Sequence, residues 1–113
     1  MGKRERDKGM AAEREVRDLI NALSSFHVFK APHSGALEWM KGDLVGFPKM
    51  HLEVKRQERV SIDKWCEQAE GQAEEGQVPA VVWRRSREPW RIAMPLDHFI
   101  VLMDLLINGL GDE

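Results

Sequence analysis

The segment from Met50 to Trp83 constrains the fold most. Met50–Lys55 alternates cleanly: Met50, Leu52 and Val54 share one parity, and His51, Glu53 and Lys55 the other. A helical stretch follows, about Lys64 to Glu75, with Ser61 as its cap and Gly76 at its end. Val78–Trp83 is almost wholly apolar, as a strand buried on both faces must be. Strand, helix and strand in that order predict a right-handed crossover with the two strands parallel.

The flanks extend this unit. Met10, Ala12, Val16, Leu19, Ile20 and Leu23 form one apolar stripe at helical spacing, closed by Ser24 and Ser25. Residues 1–8 are charged and lack that period, which predicts a flexible arm ended by Gly9. Phe26–Ala31 reads as a first strand, Pro32–Gly35 as a turn, and 41–46 as a second strand turned by Phe47-Pro48-Lys49. Arg84–Pro89 is a basic turn that joins Val78–Trp83 to Trp90–Met94 as a hairpin. Pro95 opens a last helix, about Leu96–Asn108, with Gly109 at its end. The expected order is α-β-β-β-α-β-β-α, an α/β fold with a mixed central sheet flanked by helices. With 113 residues and no linker or repeat, residues 1–113 read as one domain.

Composition excludes several classes. One cysteine, Cys66, allows no internal disulfide, and four histidines show no metal-ligand spacing. The longest apolar runs, 99–103 and 105–107, fall short of the roughly 20 residues that span a bilayer. A cytoplasmic protein without membrane contact is expected. The formal net charge is −2, yet all 17 Lys and Arg lie in residues 1–93 with 15 of the 19 acids. The charge therefore permits a phosphate-bearing partner.

Glu53 and Lys55 leave one face of a strand that is otherwise apolar, where an unpaired charge is costly. A mutual ion pair at the sheet surface is one reason for them. Asp43, ten residues before Glu53, opens the other: a hairpin of that length brings two carboxylates together. Such a pair must share a proton or bind a cation, and hard oxygen ligands suit Mg²⁺. For Asp43 alone, a capping role in the turn is the simpler reading. Glu13 and Glu15 are equivalent third acids on the first helix.

The run Lys8-Gly9-Met10-Ala11-Ala12-Glu13-Arg14-Glu15 resembles the N-terminal motif of the archaeal-type Holliday-junction resolvases. These belong to the restriction-endonuclease-like PD-(D/E)XK nuclease superfamily. Lys30, Pro32, Ser34 and Gly35 leading to Gly42-Asp43-Leu44 resemble their second block, and Leu52-Glu53-Val54-Lys55 their Glu-x-Lys strand. Lys64–Gly71 with Gln68, Val78–Trp83, and Trp90-Arg91-Ile92 before Pro95-Leu96 follow the family order.

The resemblance implies a restriction-endonuclease-like fold and Mg²⁺-dependent hydrolysis of DNA at four-way junctions, with Mn²⁺ as a substitute. It makes Asp43 and Glu53 metal-binding acids, joined by the Val54 carbonyl, and Lys55 the catalytic lysine. It selects Glu13 over Glu15 as the helix glutamate. Arg14 and Lys30 become DNA-backbone contacts, Ser34 a junction-loop residue and Gln68 a helix residue facing the site. Arg56 and Arg59 continue from the active strand toward the DNA channel. Alternative substrates are flaps, nicks or plain duplex, and a catalytically silent DNA-binding or assembly module is the alternative class. The arginines of the 84–91 turn read equally as phosphate contacts or as a solvated turn.

The last helix is apolar almost all round, more than a monomer of this size can cover. That predicts a homodimer through Phe99, Leu102, Met103 and Leu106, and a two-fold dimer suits paired cuts in a junction.

Overall fold

The computed structural model describes residues 3–31 and 43–109. Helix α1 runs Lys3–Leu23, then β1 Phe29–Lys30, β2 Leu44–Val45, β3 Met50–Arg56, α2 Ile62–Gln72, β4 Val78–Arg84, β5 Arg91–Ala93 and α3 Leu96–Asp104. A π-helical turn, Leu105–Gly109, continues α3. The five strands form one sheet in the order β1-β2-β3-β4-β5. All neighbours are antiparallel except β3 and β4, which pair in parallel from Met50↔Val78 to Arg56↔Arg84. This is the expected α/β architecture with its crossover, a restriction-endonuclease-like fold.

Strand parity sorts the core into two layers. Leu52, Val54, Met50, Val78 and Ala80 pack against Ala12 and Val16 of α1, with Leu102 of α3 at the margin. On the other face Val81 is fully buried against Trp65 and Ala69 of α2, with Trp83 and Cys66 alongside. Cys66 is thus a packed apolar residue, and burial raises its thiol pKa. Among the described residues no helix is long and apolar enough to cross a membrane.

Several boundaries differ from expectation. Where it is described, the charged segment is helical: α1 already begins at Lys3 and passes through Gly9. Lys, Arg and Glu are good helix formers and need no apolar period once a buried stripe follows. β1 covers only Phe29–Lys30, because Asn21 of α1 captures both backbone groups of Val28, donating to its carbonyl at 3.0 Å and accepting its N–H at 2.8 Å. Helix α2 stops at Gln72, where Ala73 turns extended, and Ser61 makes no side-chain cap bond. Gly76 instead takes a φ of 87° in the turn before β4. Gly46, at φ 106°, passes the His27 carbonyl so closely that a Cβ there would collide with it.

α3 buries none of its residues; Phe99, Ile100, Val101, Leu105, Leu106 and Ile107 are all exposed. Of the residues expected at a dimer contact, Leu102 packs onto the margin of the core and Met103 is half-buried, while Phe99 and Leu106 are exposed.

Candidate active site

Where β2 parts from β3, the chain places an acid in the ladder. The backbone N–H of Asp43 donates to the Leu52 carbonyl at 2.8 Å, and its own carbonyl accepts from Ala31 at 3.1 Å. The Val54 N–H is then met by the Asp43 side chain, which accepts it at Oδ2 over 2.6 Å. A carboxylate thus stands in for strand backbone in the middle of the fold. At Val54 it is the amide N–H, not the carbonyl expected as a metal ligand, that meets this side chain.

Glu53 is buried on the neighbouring position of β3, and its register partner Val81 lies in the α2-side cluster. Lys55 shares that face, beside Trp83, and is half-buried. Glu13, also buried, comes from α1 on the opposite layer and lies 3.7 Å from the Lys30 ammonium. Asp43 is felt by all of these. Burial first, then the Glu53 charge, push its carboxyl up to about 7, with Glu13 adding; the Val54 amide and Lys55 pull the other way.

Glu53 and Lys55 of β3 and Glu13 of α1 thus each lie within electrostatic reach of Asp43. The ring of ligands is incomplete: among the described residues no three Asp, Glu, His or Cys side chains are arranged to hold one metal ion. A carboxyl whose pKa is pushed up to about 7 by burial and by acidic neighbours is nonetheless what a hard divalent cation would relieve. Asp43 and Glu53, with waters, are the donors that could hold such an ion.

The other expected residues are placed unevenly. Lys30 reaches the site through Glu13. Arg56 is drawn toward Glu15 instead, at 3.5 Å, and Arg84 joins the same carboxylate at 2.9 Å, fastening α1 to the sheet. Arg14 and Arg59 are exposed. Gln68 is exposed on α2, whose buried residues are Trp65 and Ala69. Ser34, His33 and the Pro32–Gly35 turn lie outside the described residues.

His51 is the residue that sequence reading undervalued. The residue is 1% exposed, neither ring nitrogen has a hydrogen-bond partner among the described residues, and Nε2 lies 3.8 Å from Oε1 of Glu53. Its shared parity with Glu53 was the available signal.

The model of a family described as "Phage putative PDDEXK endonuclease" matches residues 4–106, nearly the whole chain. The chain belongs to that family. It is thereby a member of the PD-(D/E)XK nuclease superfamily, whose enzymes are generally dependent on divalent metals. The match is to the phage family and not to the archaeal junction resolvases. No curated protein and no solved structure matches the chain.

Proposed function

We propose that this PDDEXK protein is a homodimeric, Mg²⁺-dependent, structure-selective endonuclease that hydrolyses phosphodiester bonds at four-way DNA junctions in the cytoplasm. The observation that carries the hydrolytic part is Asp43, held against the Val54 amide with Glu53, Glu13 and Lys55 around it. The junction specificity rests on the order of the resolvase-like motifs at Glu13, Asp43 and Glu53–Lys55. The exposed apolar face of α3 suits a two-fold dimer, which would supply two sites for paired cuts.

Asp43 and Glu53 would hold the cation, with waters completing its shell. When bound, the ion supplies a water of lowered pKa and a charge against the leaving oxyanion. Lys55 orients the attacking water by donating a hydrogen bond and sets its ammonium beside the phosphorane. Glu53, buried between Val81 and the β2 edge, keeps its carboxylate fixed rather than sweeping solvent.

The test is cleavage of a synthetic four-way junction and a linear duplex of the same sequence, with Mg²⁺, by the wild type, Asp43→Asn and Lys55→Ala. The proposal expects junction cutting that both substitutions abolish. Equal cutting of duplex and junction overturns the substrate. Cutting that survives both substitutions overturns the site, and binding without cutting in Mg²⁺ or Mn²⁺ leaves only a DNA-binding module.

A further inference from the structure

The arginines of the β4–β5 hairpin fall into two classes that sequence alone did not separate. Arg84, like Arg56 beside it, turns to the α1 side. Their side chains are 13% and 25% exposed, and both are committed to Glu15. Arg84 also lies over the Trp90 ring at 5.0 Å. These two hold the fold together.

Arg85 and Arg91 behave differently. Their side chains are 42% and 46% exposed, and both sit over one ring, that of Trp83, at 5.9 and 5.5 Å. They share a single carboxylate, Glu88, at 3.6 and 2.8 Å, so one anion serves two guanidiniums. Arg87, at the turn, is exposed, takes a φ of 65° and makes no ion pair with a described residue. The turn is braced from below, since the Ser86 N–H donates to Glu58 at 2.8 Å and that of Glu88 to the Arg85 carbonyl at 3.2 Å. Their platform, Trp83, is the register partner of Lys55 on the adjoining strand. Adjacent strands lie about 4.8 Å apart.

We propose that Arg85, Arg87 and Arg91 form the surface that grips the phosphate backbone of duplex DNA and delivers it to Lys55. Guanidiniums held by stacking and a shared carboxylate lose little freedom when a phosphate arrives, and their fork geometry matches its oxygens. The sugar–phosphate backbone carries the regular negative charge that an excess of arginine over acid along a strand edge can track. The inference rests on the nuclease reading for its destination, Lys55, but names a separate binding surface.

The experiment measures anisotropy of a labelled duplex in EDTA, where no metal is available for hydrolysis, from about 50 to about 200 mM salt. The slope of log K against log salt should flatten by about 2.7 for the triple Arg→Ala variant at 85, 87 and 91, roughly 0.9 for each lost phosphate contact. Arg87→Ala alone should remove about 0.9, and should fold whatever the triple variant does, because Arg87 supports nothing else. The triple Arg→Lys variant should keep the slope. Arg17→Ala, on α1 and paired with Asp18, is the control for general charge loss. A triple Arg→Ala variant, or a lone Arg87→Ala, that keeps the wild-type slope and affinity overturns the proposal. The two readings fail separately. Hairpin-dependent binding without cleavage of any DNA sinks the nuclease and leaves this surface standing; cleavage with an unmoved slope does the reverse.

Discussion

Replacing Asp43 by Asn should make the protein more stable at neutral and alkaline pH. Its carboxyl is raised from 3.8 to about 7 by burial and by Glu53. Between those values the folded chain holds a proton that the unfolded chain has released. Stability therefore falls as pH rises from about 4 to about 7, remains low above, and gains nothing further below about 4. A difference near three units, at about 1.4 kcal/mol each, sets the full penalty at about 4 kcal/mol. Asparagine keeps an oxygen for the Val54 amide and removes the charge, so the hydrogen bond survives while the repulsion goes. The assay is denaturant unfolding of both proteins at pH 5 to 8 with a chelator present, compared as a difference so that other groups cancel. Asp43→Asn should gain on the wild type steadily up to about pH 7. Saturating Mg²⁺ or Mn²⁺ at pH 8 should then stabilise the wild type and leave the variant unmoved. A wild-type-minus-variant difference that stays flat across that range would refute the account of Asp43 as a strained carboxyl.

Lys55→Ala should lower the cleavage rate by about 10²–10⁴ with little change in the unfolding midpoint, read by single-turnover kinetics beside thermal melts. Leu52→Ala, at a position 1% exposed, should cost about 2–5 kcal/mol in chemical denaturation. Gly46→Ala should cost more than about 1 kcal/mol, since it meets both a positive φ and the His27 carbonyl, and circular dichroism melts would show it. Phe99→Glu with Ile100→Glu should yield monomers in light scattering at unchanged helicity; an intact dimer would move the interface off α3.

β3 was legible almost residue by residue, because one buried face and a period of two leave little choice. The crossover and the β4–β5 pairing followed from it. β1 was not, since what shortens it is the Asn21 side chain taking the Val28 backbone groups, a contact that periodicity does not encode. The start of α1 was missed because a charged helix end lacks an apolar signal. Within the site, parity grouped His51, Glu53 and Lys55 correctly. It could not reveal that Asp43 substitutes for strand backbone at Val54, or that Glu15 secures α1 while Glu13 approaches the site. Both depend on where the layers meet, which one-dimensional spacing leaves open.

The Glu15–Arg84 clasp has a consequence for how the molecule is assembled. Asp43 reaches Val54 across 11 positions, whereas Glu15 reaches Arg84 across 69. Loop closure grows costlier with separation, and distant contacts are late in folding. The strand-borne half of the centre can form from nearby chain, but α1 gains its anchor only after the crossover is complete. Glu13, which precedes those strands in the chain, is put to use only after they have paired.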